Sequence, residues 1–600
     1  MLMLAAILTN CTTSIAPKKA GADNGLKQFS AARDQLQVRK PTVRSEKDPL
    51  VLVHYMPWFQ APPVETGYGF HWHQGGGVFD PFETLSDGRA KIASHYYPLT
   101  GPYDTRDTSV LEYQVSIMKM SGIDGVIFDW YGIEDALDYK QIHESTIAMI
   151  AVLKKAGMKF AVCYEDQSIG KMIEAKGLTK EGALEEGKKV FSWMQNAWFT
   201  DDAYVKFDRR PLVLCFGPQY FKDWSQWTAL FEKTNPKPWF VSLDNHNEGT
   251  VDGSYNWPPM WAATAGKLGI PRLVTYLNDF YTKQYNKAFL VATAFPGFHD
   301  IYQQAGNGAS YGFLDDGKTE TFRLTVDAAL MANPDVIQIA TWNDYGEGTT
   351  VEPTIERGYE YLEYLQGIQK NFDPVFPFDR LDLRSAIEIY KLTVSGKATD
   401  DQKKLLGKAT DAIFSGNASA LREALKGAKI TTDFSVSPLL RDTSKASTAA
   451  SSTAKVFDAA GKKNLALGMP VVASSHIYDF TGNKAIDGDL LTYWEGGTNT
   501  YPNTVIVDLV SSRQLSSAVI KLNPKRIWNS RKQKIEVLVS DDGQKYTSLL
   551  PAAEYAFDPA ANENVVAITL NVKARYLQLV FTNNTGGKAG QIAELEVYGE

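Results

Sequence analysis

Two carboxylates three residues apart, Asp344 and Glu347, stand in the segment IQIATWNDYGEGTTVEP at 337–353. Gly346 and Gly348 flank Glu347 and let the backbone turn sharply around it. Two carboxylates held this close repel, so one keeps its proton near neutrality while the other is ionised. One donor and one base flanking a bond is the equipment of glycoside cleavage. Taken singly, each residue has a plainer reading: an acid after a strand caps the next helix, and a tryptophan closes a core.

The case is collective. Short apolar runs along the chain end repeatedly in polar and aromatic residues. The first ends in His54, Tyr55 and Trp58, the second in Asp129, Trp130 and Tyr131, and the third in Tyr164, Glu165 and Asp166. Later ones end in Asp244, Asn245 and His246, then His299 and Asp300, and the last in Trp342, Asn343, Asp344, Glu347 and Glu352. Aromatic faces suit sugar rings and carboxylates suit the bond between them, so His54, Tyr55, Trp58, Asp129, Trp130, Tyr131, Tyr164, Glu165, Asn245, Trp342, Asn343 and Glu352 are the expected substrate-binding set around Asp344 and Glu347.

The elements that must position these residues are strands alternating with helices. Strand-like runs fall at 50–56, 125–130, 159–164, 211–216, 239–243, 288–293 and 336–342, with an ambiguous one between 249 and 257. Amphipathic stretches at 109–121, 140–156, 180–197, 222–233, 270–284, 319–332 and 356–369 separate them. Eight strands close a barrel, whose reactive groups gather at the C-terminal strand ends. A doubly wound sheet is the competitor. Its glycine-rich phosphate loop is missing after the first strand, where Tyr-Met-Pro-Trp-Phe stands instead. The expectation is an α/β chain: a (β/α)8 TIM barrel at 46–372, a small helical spacer at 373–436 with an elaboration of the barrel as the alternative, a Ser/Thr/Ala linker at 437–460, and a C-terminal β-sandwich at 461–600.

The segment WNDYGEGTTVEP resembles the active-site segment of the endo-α-mannosidase family, family 99 of the glycoside hydrolases, and the Trp-Asn-Asp-Tyr/Phe-Gly-Glu segment of the family 71 α-1,3-glucanases. HYMPWF, HYYPLTGPYD and GVIFDWYG also resemble segments of this superfamily, and the likeness covers about 49–372. In the mannosidase family the first acid acts as base toward the sugar's own 2-hydroxyl and the second as general acid/base. The resemblance puts those roles on Asp344 and Glu347. Asp344 is one methylene shorter than the mannosidase glutamate, so its reach differs; the glucanase likeness implies an activated water instead. The implied activity is an endo-acting glycoside hydrolase on α-linked mannan or glucan that needs no catalytic cofactor. A non-hydrolytic glycan-binding surface protein on a degenerate barrel is the alternative.

The stretches NLALGMPVVASS, NKAIDGDLLTYWEG, KIEVLVSDDGQKYTSL, RYLQLVFTNN and IAELEVYG resemble the coagulation factor 5/8 type C, or discoidin, domain, a jelly roll shared by family 32 carbohydrate-binding modules. The resemblance implies a structural calcium ion held by Asp487, Asp489, Thr492 and Glu594, oxygen donors suited to a hard cation, with a hydrogen-bonded turn as the metal-free alternative. In that domain Trp494 reads as core, and Trp528 with Arg526 or Arg531 as a sugar platform, with Tyr478 and Asn583 in the same loops.

Of the 600 residues 13 are Trp, 29 Tyr and 29 Phe, which fits a polysaccharide or N-glycan-type oligosaccharide as partner. A net charge of -7 speaks against nucleic acid. Cys163 and Cys215 sit in apolar runs and read as buried thiols. Cys11 closes the apolar run MLMLAAILTNC, which resembles a lipoprotein signal. The expectation there is a signal and tether at 1–45 and a lipid-anchored place at the cell envelope, or else secretion. No later run is long and apolar enough to span a bilayer. His71 and His73 have ligand-like spacing without an obvious third ligand.

Overall fold

The computed structural model describes residues 29, 32, 33, 35–38, 48–244, 251–285, 287–373, 375–430, 464–477, 480–490, 492–523, 528, 530–543 and 545–599. The leader run with Cys11, Asn245, His246, Tyr478, Arg526 and the linker at 437–460 lie outside them.

Among the described residues, eight parallel strands form the first unit: β1 Leu50–Tyr55, β2 Gly125–Trp130, β3 Lys159–Tyr164, β4 Arg210–Cys215, β5 Trp239–Leu243, β6 Gly253–Tyr255, β7 Val291–Ala294 and β8 Val336–Ile339. Their hydrogen-bonded order is β6-β5-β4-β3-β2-β1-β8-β7. Both faces are covered, which is why runs such as LVLVHY and GVIFDW are apolar almost throughout. The ambiguous eighth strand is β6.

A side chain closes the ring. Asn256, just past β6, donates from Nδ2 to the Thr293 carbonyl of β7 at 2.9 Å and accepts the Thr293 N–H at 2.7 Å, replacing a ladder rung. The strands approach so closely here that a Cβ on Gly253 would lie 2.1 Å from the Phe289 carbonyl oxygen.

The helices are α1 Phe70–His73, α2 Thr108–Met120, α3 Tyr139–Lys155, α4 Gln167–Lys176, α5 Lys180–Ala197, α6 Trp224–Leu230, α7 Ile270–Gln284, α8 Glu320–Met331 and α9 Glu360–Phe372. Polar side chains fix several starts: Asp107 accepts from the Ser109 amide, and Asp223 and Gln226 form a capping box.

Two expected boundaries move. The helices α10 Arg380–Leu383, α11 Ser385–Val394, α12 Asp400–Phe414 and α13 Ala418–Ala428 are not a spacer. Leu383, Ile387, Leu406, Ile413 and Leu421 belong to the same buried cluster as the barrel, and Tyr390 meets Tyr113 of α2 with ring centroids 5.7 Å apart. At the other end, Phe29, Ala32, Leu36 and Val38 join that cluster, and Arg33 pairs with Glu320 and Asp327 of α8. Part of the expected tether is thus packed on the barrel, because its apolar residues find a surface there.

The C-terminal unit is a β-sandwich of β9 Val471–Ala473, β10 Trp494–Glu495, β11 Asn503–Lys521, β12 Arg531–Ser540, β13 Thr547–Phe557, β14 Val565–Asn584, β15 Gln591–Ile592 and β16 Glu594–Gly599. The main sheet runs β9-β11-β14-β12-β13 with β16 on β11, and β10 pairs with β15. It has its own core, in which Trp494 is fully buried. No described helix is long and apolar enough to cross a membrane.

Candidate active site

Beyond β8 the chain turns back on itself. The Glu347 amide donates to Asp344 Oδ1 at 2.8 Å, and the Asp344 amide donates to Thr341 Oγ1 at 2.8 Å. Only Gly348 of the two flanking glycines takes a left-handed φ, 67°, and a Cβ there would lie 2.5 Å from the His299 carbonyl oxygen. The loop is also zipped to the segment after β7, where the His299 and Ile301 amides donate to the Glu347 and Gly346 carbonyls.

Asp344 is buried and Glu347 half-buried. Burial raises the Asp344 carboxyl to about 6, with the Glu347 amide opposing and the charge of Asp129 adding to the rise. Glu347 is pushed well above the carboxylate range by burial first, then by Asp344, Asp300 and Asp129. The order is that of a base and an acid at neutral pH.

Asp344 opens onto a cavity of about 230 Å³ lined by Trp58, Phe70, His71, Gln74, Tyr302, Asn307, Tyr311 and Gly346. Trp58 stacks on His71 at 4.2 Å between centroids, and His71 Nε2 faces Asp138 at 3.6 Å. The Tyr302 hydroxyl is held in its protonated form by burial and by the charges of Asp344 and Glu347, so it remains a donor beside the pair. Asp300 Oδ2 accepts from Ser310 Oγ at 2.9 Å and the Tyr311 amide at 2.7 Å, folding the loop that carries Tyr302 and Tyr311.

Of the expected set, Trp58 and Asp344 line this cleft, Glu347 stands close enough to Asp344 to feel its charge, and half-buried Tyr131 stacks on Tyr139 at 5.2 Å. Glu165, buried beside Asp129, is pushed up by burial and by that charge, and accepts from Gln167. Others lie elsewhere. Trp130 packs outward against Trp193 and Trp198, and Tyr164 against Phe191, because alternate strand residues face the helix layer. Tyr55, Asn343 and Glu352 form a buried network: Glu352 accepts from Gln114 at 2.8 Å, Tyr103 at 2.7 Å and Tyr345 at 2.8 Å. Tyr55 donates to Gln114, and Asn343 bonds both backbone groups of Met56. Trp342 is core. These residues brace the loop and are not at the cleft.

Phe70, Gln74, Tyr302, Asn307 and Tyr311 were not anticipated. Phe70 and Gln74 stand at the two ends of α1 and the other three in the connection after β7, none at the end of a barrel strand. The aromatics of the 301–312 segment were the available signal.

In the sandwich, Thr492 Oγ1 donates to Asp487 Oδ2 at 2.6 Å and the Gly488 amide to Glu594 Oε2 at 2.8 Å. Glu594 Oε1 is buried without a hydrogen-bond partner, and Arg380 of α10 stands 3.7 Å from Asp487. Trp528 belongs to the core with Arg531 over its ring at 5.0 Å, so it is not an open sugar platform.

A (β/α)8 barrel with a paired-carboxylate cleft and an F5/8 type C domain define the class, the latter matched at residues 470–595. The chain belongs to the family described as glycosyltransferase WbsX, whose model matches residues 55–365. The barrel is also similar to glycoprotein endo-alpha-1,2-mannosidase-like proteins. The one from Danio rerio is 22% identical over 343 residues, 52% of this chain and 73% of that protein. The one from Homo sapiens is 22% identical over 344 residues, 52% and 70%. Among solved structures, the GH99 endo-alpha-mannosidase from Bacteroides thetaiotaomicron matches with 16% identity and a TM-score of 0.41, covering 57% of this chain and 99% of that one. The family 32 CBM from C. perfringens NanJ in complex with galactose matches with 27% identity and a TM-score of 0.19, covering 22% and 93%.

Proposed function

We propose that the chain is a glycoside hydrolase acting within α-linked mannan or glucan, with Glu347 as general acid and Asp344 as base. The observation that carries this reading is the pair itself, two carboxylates on one braced loop with their proton affinities raised in the order acid above base. Glu347 gives its proton to the glycosidic oxygen as the bond to the anomeric carbon breaks. Asp344 takes a proton from the attacking group, either a water or the sugar's own 2-hydroxyl. Trp58, Tyr302 and Tyr311 supply faces and a hydroxyl for the sugar. The mannosidase-like relatives support the substrate class.

Transfer from a nucleotide sugar, which the family's description suggests, fits less well. Among the described residues, the cavity lining offers one acid, amides and aromatic rings and neither Lys nor Arg to meet a diphosphate. The deciding experiment gives the full chain a panel of α-mannans, α-glucans and nucleotide sugars, beside Glu347→Gln. Oligosaccharide release by the wild type and its loss in the variant supports hydrolysis; consumption of a nucleotide sugar overturns it. Binding without release by either protein moves the barrel to the glycan-binding reading.

For the sandwich, Asp487, Asp489, Thr492 and Glu594 fit a calcium ion: the donors are oxygens, and Glu594 Oε1 is a buried acceptor without a donor. The ion would be structural.

A further inference from the structure

Three side chains on consecutive strands form a cluster that the proposed reaction does not use. His54, Asp129 and Cys163 are the next-to-last residues of β1, β2 and β3, with Asp129 and Cys163 facing each other in register. They are 1%, 3% and 0% exposed, and one ligand atom from each lies within 4.8 Å of the others.

Hydrogen bonds orient the His54 ring. Gln338 Nε2 donates to Thr293 Oγ1 at 3.0 Å, which turns its Oε1 toward His54 Nδ1 at 3.2 Å. An amide oxygen only accepts, so Nδ1 carries a proton, and in the neutral ring Nε2 presents a lone pair. That lone pair faces Asp129 Oδ1 at 3.8 Å, too far for a hydrogen bond, and Oδ1 has no hydrogen-bond partner. With the ring neutral, these are two buried acceptors facing each other, and a cation between them would satisfy both. Ligands about 2.0–2.2 Å from a tetrahedral ion stand about 3.4 Å apart, close to this separation.

We propose that His54 Nε2, Asp129 Oδ1 and Cys163 Sγ bind one divalent transition-metal ion, zinc above all. A neutral imidazole, a carboxylate and a thiolate neutralise a charge of two, which a buried site requires. Nitrogen and sulfur donors select zinc over magnesium or calcium. Gln338 is the outer partner that orients the imidazole, as metal-bound histidines normally have. Binding displaces the Cys163 thiol proton to solvent and forms the metal–sulfur bond, with no change of oxidation state.

The test uses the full chain, stripped with a chelator and desalted, then titrated with zinc or cobalt(II). The expected result is one equivalent of zinc retained through gel filtration and a cobalt–thiolate charge-transfer band. Cys163→Ser loses the band and weakens zinc binding at least tenfold, while Cys215→Ser, altered at a buried thiol outside the cluster, keeps both. Thermal melts of each variant establish that it is folded. Failure of the wild type to retain zinc or to develop the band overturns the proposal, as does a band that survives Cys163→Ser.

Discussion

The Glu347 amide donates to Asp344 Oδ1 at 2.8 Å, so the backbone of one acid holds the carboxylate of the other. The pair is therefore one mechanical unit, joined through the backbone of Glu347 and the side chain of Asp344. Glu347→Gln keeps its amide and should leave Asp344 in place, so we expect a loss of turnover of about a hundredfold or more with little change in glycan affinity. Asp344→Asn should lose comparable activity, and also lower the pKa of Glu347 by removing a like charge. Steady-state kinetics on the substrate found in the panel checks both.

The pH profile follows from the same two groups. Asp344 must be ionised, so activity rises as pH climbs through about 6. Glu347 must be protonated, and burial with its acidic neighbours places its loss higher. The expected kcat/KM curve is a bell whose acid limb lies near 6. A flat profile across that limb removes Asp344 from the base role.

Beneath the loop, Glu352 is raised to about 7 by burial, against the pull of the Gln114, Tyr103 and Tyr345 hydrogen bonds. Its folded pKa exceeds the ordinary 4.5, so the folded chain holds this proton more tightly than the unfolded chain. The stability this contributes is complete below about 4.5 and is lost as pH rises through about 7. Glu352→Gln places an amide where three donors converge and should cost about 1–3 kcal/mol while flattening that part of the stability curve. Denaturant melts at several pH values measure it.

Among the described residues, the Asn256 amide makes two hydrogen bonds across the closing seam of the barrel. Asn256→Ala would leave the buried Thr293 N–H and carbonyl without their partners, at about 1–3 kcal/mol for each group left unmet. We expect a lower melting midpoint and faster amide exchange in β6 and β7. An unchanged midpoint would show that the seam is held by packing.

If calcium binds the sandwich, a chelator should lower the melting temperature of the full chain, and added calcium should restore it. Asp487→Asn should abolish the response, since Asp487 also bonds Thr492. A melt indifferent to calcium favours the turn held by that hydrogen bond.

Strand positions were legible because buried parallel strands are written as apolar runs, and β2, β3 and β5 fall where those runs stand. That Asp344 and Glu347 share one tight turn was legible from their spacing and the flanking glycines. What spacing cannot report is the side of the strand a residue faces: Asp129 and Trp130 are neighbours, yet one turns inward and the other to the helices. Nor does it report cavity walls drawn from long loops, so Gln74 and Tyr302 were missed although one follows α1 and the other follows β7. Glu352 looked like a third cleft acid; only its three donors distinguish it as a brace.

The helices α10 to α13 share the barrel's core through Leu383, Ile387 and Leu421. In evolutionary terms the stretch to residue 430 is therefore a single heritable block. Recombination beyond it would exchange the sandwich for another module and leave that block whole. A crossover near 373 would instead strand the oily flank of α2 in water, and such chimaeras should be eliminated as aggregates before any change of substrate could be selected.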